Sequence, residues 1–160
     1  MGFAQKNAHH NCVYENIDGL DHLDLISPAD IVKHFSLSGS FWAYSYRLDS
    51  NFTFHKTEVG CSGSLPLDSG KWEIRNKSRL VLVSQRRTMI FDIVKFDNFY
   101  FFILPYQRQK FIAELRSIKL KLKNYKPVTI EGQTYSYNYA VAFLLKEGYY
   151  CYEIEDVAGT

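Results

Sequence analysis

The stretch "SGKWEIRNKSRLVLV", Ser69 to Val83, decides how the rest of the chain is read. Its first half alternates: Trp72 and Ile74 share one side, and Lys71, Glu73 and Arg75 share the other. Alternation with a period of two is the pattern of a half-buried strand. The polar triplet Asn76-Lys77-Ser78 follows and has turn chemistry. Then Leu80 to Val83 is apolar on both faces. The segment therefore predicts a β-hairpin laid over a hydrophobic layer. What lies beneath that hairpin, side chains or a guest molecule, is the functional question.

The same period extends in both directions. "SFWAYSYRL" puts Trp42, Tyr44, Tyr46 and Leu48 on one face, and "FTFHKTEV" puts Phe52 with Phe54. "GCSGSLPLDSG" reads as a long loop rich in turn formers. "RRTMIFDIVKF" and "FYFFIL" follow Val83, separated by a turn at Asp97-Asn98. About six antiparallel strands at hairpin spacing predict a meander that curls into a barrel or sandwich. A last strand, "YYCYEIE", is expected near the C-terminus.

Three stretches carry helical signals. "SPADIVKHF" predicts a helix over 27–35, with Ser27 as cap, Pro28 in the first turn and Asp30 suiting the helix dipole. Such a helix could plug one barrel end or cover one edge. Over 107–123, Phe111, Leu115, Ile118 and Leu122 form one apolar stripe beneath a basic outer face. Residues 138–146 predict a third helix, ended by Gly148. A short hairpin is expected around Glu131-Gly132. The fold class is mainly β (α+β), with a flexible arm over residues 1–20 and a single domain over 21–157.

Bulk properties narrow the function. The chain has 160 residues, 46% apolar and 22% charged, which is globular composition for one domain. Net charge is +2, too small to argue for nucleic acid or an anionic membrane surface. No apolar run reaches the roughly 18 residues of a membrane span. Aromatics make up 16% of the chain, with 12 Tyr and 12 Phe. Tyrosine joins an apolar body to a polar tip, which suits a partly wet wall. At the N-terminus, Ala4 precedes Gln5 in the manner of a signal-peptide cleavage point, so Met1 to Ala4 reads as a signal remnant or an added expression segment, and the plainer reading is an ordinary disordered start. The expected location is periplasmic or secreted, in a bacterium.

The strands over 37–104 bear a resemblance. "LSGSFWAYSY", "NFTFHK", a loop with Cys61, "SGKWEIRNKSRLVL" and a strand ending "FDIVKF" resemble the lipocalin-like domains of exported bacterial proteins of the Bacteroidetes kind. The opening strand reads Gly39-Ser40-Phe41-Trp42, and the complete Gly-x-Trp, Gly70-Lys71-Trp72, stands on a later strand. The resemblance implies a lipocalin-like barrel or half-barrel that holds a small apolar or amphipathic ligand. No family ligand residues carry over.

The candidate ligand wall is Trp42, Tyr44, Tyr46, Phe54 and Trp72; the plainer reading makes these residues core. His9, His10 and Cys12 carry metal-ligand atoms at close spacing, but without a second cluster they read as a solvated tail, and no metal or cofactor is expected. Cys12–Cys61 and Cys61–Cys151 are both open as disulfides. Lys71, Arg75, Lys77, Arg79, Arg86 and Arg87 form one basic edge, and Lys110, Arg116, Lys119, Lys121 and Lys123 a second. Either edge would suit an acidic partner protein. Asp92 and His55, both on strands, are the candidate pair for proton transfer; no nucleophile elbow, P-loop or dinucleotide fingerprint accompanies them, so no enzyme is expected. The leading expectation is an exported binding module for a small lipophilic molecule. The alternative is an envelope protein–protein interaction, immunity or inhibitor protein with no small ligand.

Overall fold

A computed structural model describes residues 27–38, 43–76 and 78–154. The expected N-terminal arm, His9, His10, Cys12, Trp42 and Lys77 lie outside the described residues. Eight strands form a closed antiparallel barrel: β1 (His34–Ser38), β2 (Ala43–Leu48), β3 (Thr53–Gly60), β4 (Gly63–Arg75), β5 (Arg79–Ser84), β6 (Thr88–Phe96), β7 (Phe99–Ile103) and, after the helices, β10 (Tyr150–Glu153). β10 inserts between β7 and β1, and β1 pairs with β2, which closes the ring.

Alternation sends one face of each strand inward. Phe35, Tyr46, Leu48, Phe54, Trp72, Leu80, Leu82, Phe91, Ile93 and Phe102 are buried in one cluster inside the barrel. An eight-stranded barrel has an interior that side chains can just fill. Here the rings meet across it. Phe35 stacks on Phe102 with centroids 3.7 Å apart, and Tyr46 meets Phe54, Phe91 and Tyr150. The middle of the barrel is therefore a packed core.

A second core lies outside the ring. α1 (Arg108–Lys121) and α2 (Tyr137–Leu145) cover the outer faces of β6, β7 and β10. The stripe Phe111, Leu115, Ile118 and Leu122 supplies the α1 side, as its spacing predicts. Phe111 sits edge-on between Phe101 and Tyr149. This explains why "FYFFI" shows no alternation. All five residues of β7 are buried, because Tyr100 and Phe102 face the barrel while Phe99, Phe101 and Ile103 face the helices. Between the helices, β8 (Val128–Ile130) and β9 (Gln133–Tyr135) form the expected hairpin, with positive φ at Glu131 and Gly132.

Two expectations need correction. The helix over 27–35 is only a 3₁₀ turn, Pro28–Ile31, although its capping chemistry is in place: Ser27 Oγ accepts from Ala29 N–H and Asp30 accepts from Ser27 N–H. The chain then becomes β1, since His34–Ser38 closes the barrel against β2. Both Ile31 and Phe35 are fully buried in the interior, and Ile31 seals the end where Leu48 and Trp72 lie. The second correction concerns the loop from Gly60 to Gly70. Its residues 63–69 are the first half of the long strand β4 and pair with β3 alone. Pro66 is tolerated because the other edge of β4 is unpaired there.

The tyrosines give the fold a pH signature. Tyr149 donates its hydroxyl to Glu114 Oε2 and Tyr139 donates to Glu153 Oε1, both at 2.7 Å. Burial, followed by these bonds and the carboxylate charges, holds both phenols well above the ordinary value of 10.0. Tyr150 is pushed up to about 12, first by burial and then by Tyr44. Tyr46 is raised too, again mainly by burial. Above pH 10 the unfolded chain loses these protons while the folded chain keeps them, so stability falls as pH rises through this range. An alkaline titration should show these phenols ionising together with the loss of circular dichroism. Titration of every tyrosine near pH 10 with structure intact would contradict this.

Candidate functional site

The barrel wall parts between β4 and β5. β4 and β5 pair from Arg75↔Arg79 only as far as Gly70↔Ser84. Beyond that pair, β4 continues with β3 and bends away. The β3–β4 register also slips, because Lys56 pairs with Asp68 but Thr57 pairs with Pro66, leaving Leu67 as a bulge. Between the diverging β4 and the β5–β6 turn lies an open groove of about 870 Å³. Arg47, His55, Lys56, Lys71 and Arg86 line it, and Asp68 is its one acidic residue.

Local chemistry shapes each wall. Ser84 Oγ accepts from the N–H groups of Arg86 and Arg87, both at 3.2 Å, which fixes the turn that presents the two arginines. Arg87 Nε reaches across the gap to Asp68 Oδ2 at 3.7 Å, and the Asp68 side chain is only 12% exposed. On the far wall Asp49 holds Arg47 at 3.0 Å and His55 at 3.4 Å.

Lys56 connects the groove to the barrel interior. Its ammonium lies 5.6 Å from the centroid of Tyr44 and 5.2 Å from that of Tyr46, within cation–π range. Desolvation, then the Arg87 charge, pulls the amine below the usual lysine range, while Asp68 and Glu58 oppose the shift. Tyr46 donates its hydroxyl to Met89 Sδ at 3.4 Å, and the Tyr150 ring sits 4.9 Å from it. Tyr44, Lys56, Met89 and Tyr150 are all half-buried. This rim is the opposite end of the barrel from the one Ile31 seals.

The expected wall residues fall in different places. Tyr44 stands at the rim beside Lys56, and Tyr46 lies buried directly beneath, at the top of the interior cluster. Phe54 and Trp72 belong to the packed interior. Trp72 is tied down at the sealed end, its indole N–H donating to the Asp49 carbonyl and its ring against Phe52. His55 and Asp92 are not brought together: His55 meets Asp49, and buried Asp92 meets Arg79 at 3.3 Å. Of the first basic edge, Lys71, Arg86 and Arg87 gather at the groove, while Arg75 pairs with Glu73. The basic residues of α1 lie on the helical layer, where Lys110 pairs with Glu114.

Cys61 and Cys151 are both free, so the Cys61–Cys151 bridge is not formed. Cys61 is exposed at the β3–β4 turn, whereas Cys151 faces the helical core from β10, with β1 and β2 between β10 and β3. Among the described residues no group of three or more His, Cys, Asp or Glu could hold a metal, and no helix is long and apolar enough to cross a membrane.

Lys56, Asp68 and Arg87 as a group escape a reading of the sequence. A signal for the first was present: Lys56 shares strand parity with the inward Phe54, which places a charge on the interior face. Asp68 lay in the segment read as loop, so its partnership with Arg87 had no visible basis. No family model matches the chain, and no curated protein or solved structure does either.

Proposed function

We propose that this chain is a lipocalin-like binding module, exported from a bacterial cell, that takes a small amphipathic molecule at the half-open rim of its barrel. It is not an enzyme in this reading; its mechanism is burial of apolar ligand surface, at roughly 25 cal/mol per Å² before ordering costs. One observation carries the reading: Lys56 is held over the rings of Tyr44 and Tyr46 at the rim, next to the groove. A half-buried charge is unfavourable for folding alone, which is what a ligand-facing role accounts for. The packed middle of the barrel limits the guest to the rim, so Phe54 and Trp72 support the site from below.

Titration with Nile red, an uncharged dye that brightens in apolar surroundings, tests this. One saturable site is expected, weakened on the order of tenfold by Tyr44→Ala, since an aromatic wall contributes about 1–2 kcal/mol. A dye that finds no saturable site, or binds the variant equally well, would count against the rim. The alternative, a protein-interaction or immunity-type module, draws support from a shallow groove of about 370 Å³ between α1 and α2. There Ile118, Lys121 and the exposed Leu144 stand together.

A further inference from the structure

We infer that the groove between β4 and the β5–β6 turn is the head-group site of that ligand and selects an oxyanion, a carboxylate or phosphate, while the apolar chain lies over the half-buried Tyr44 and Tyr150. This rests on the binding-module reading and adds the ligand's charge class and where its head is seated.

The charge pattern makes the choice. Arg47, His55, Lys56, Lys71 and Arg86 line the groove, and Arg87 stands at its edge. Against them are Asp68 in the lining and Asp49 and Glu58 beside it. The surplus is positive even with all three acids counted. A cationic head would be repelled. A neutral head would leave the Lys56 ammonium desolvated on its aromatic bed without an anionic partner from the ligand. An oxyanion gains more here than at an open surface, because the charge it meets is partly removed from water.

Asp68 has a definite part in this. It is a nearly buried carboxylate that reaches Arg87 from inside the gap, while the Arg87 side chain is 51% exposed. In the free protein Asp68 stands where a ligand's oxyanion would compete for Arg87. The ligand must therefore displace an internal anion, and the affinity of the groove is set partly by that competitor. The split in the wall makes this geometry available. Arg86 and Arg87 face Lys56 and Asp68 across a gap only because β4 leaves β5 after Gly70.

Calorimetric titration of the full chain with four dodecyl compounds, each below its micellar concentration, separates the outcomes. Dodecanoate or dodecyl phosphate should bind about tenfold or more tighter than dodecanol, and dodecyltrimethylammonium weakest, given the strength of charge-assisted bonds. The tighter of the two anions identifies the head group. Lys56→Met and Arg86→Gln should each reduce the preference for the anion over dodecanol on the order of tenfold. Asp68→Asn should tighten the anion by releasing Arg87. Arg86 is exposed on a turn, so Arg86→Gln keeps the test decisive should Lys56→Met fail to fold. Dodecanol binding as tightly as the anions, an anion preference unmoved by Arg86→Gln, or weaker anion binding in Asp68→Asn overturns the oxyanion assignment and leaves the binding module standing. Absence of binding by all four overturns both.

Discussion

Gly70→Ala should lower the thermal midpoint by roughly 6–12 °C, a loss of about 3 kcal/mol at the upper end of overpacking effects. A Cβ at this position would lie 2.0 Å from the carbonyl oxygen of Val83 and 2.9 Å from Cε1 of Phe54. The first of these atoms is backbone and cannot swing aside. Relief requires β4 and β5 to separate at Gly70↔Ser84, the last pair before the strands diverge. The second atom belongs to a ring buried in the barrel, so movement the other way disturbs the core. The neighbouring Ser69→Ala is the control. Ser69 is exposed, and its truncation should stay within about 0.5 kcal/mol of wild type. Thermal melts followed by far-UV circular dichroism compare the two. Equal midpoints would mean that the close approach of β4 to β5 is not a feature of the folded protein.

That glycine also shows what one sequence can and cannot reveal. Gly70-Lys71-Trp72 was recognisable as a motif, and the inward direction of Trp72 followed from alternation alone. The reason for the glycine did not, because Val83 approaches from the next strand. Local pattern carried the hairpins, the α1 stripe and the turn at Glu131-Gly132, where the determining residues are neighbours in sequence. It misled at Ser27, Pro28 and Asp30. Capping residues start a turn, but whether it continues depends on barrel closure by β1, which needs β2 and β10. It misled again at Gly60–Gly70, where glycine, serine and proline favour turns and yet tolerate a strand paired on one edge. The rim cluster is non-local in the same sense. Lys56, Asp68, Arg87 and Tyr150 come from four strands or turns, and only ring closure assembles them.

Phe102→Ala should cost about 3–5 kcal/mol, lowering the midpoint by roughly 10–15 °C, and should turn the packed middle of the barrel into a binding cavity. Phe102 is 1% exposed, stacks on Phe35 at 3.7 Å and lies 5.9 Å from Phe91. The ring fills the axis of the barrel, and its neighbours are themselves large rings that cannot collapse far into the space it leaves. A void lined by Phe35, Phe91 and Leu80 would be apolar, and apolar cavities of this kind stay dry and accept small hydrocarbons. Toluene should therefore raise the midpoint of Phe102→Ala by the mass-action stabilisation of a bound ligand, and should leave wild type unchanged. The comparison addresses the question posed by Ser69–Val83: whether the hairpin covers side chains or a guest. Toluene stabilisation of wild type would place a guest-sized space at the barrel axis and move the proposed ligand inward from the rim. Stabilisation confined to the variant would mean that the aromatic rings occupy the middle fully, which keeps the proposed ligand at the rim beside Tyr44, Lys56 and Tyr150.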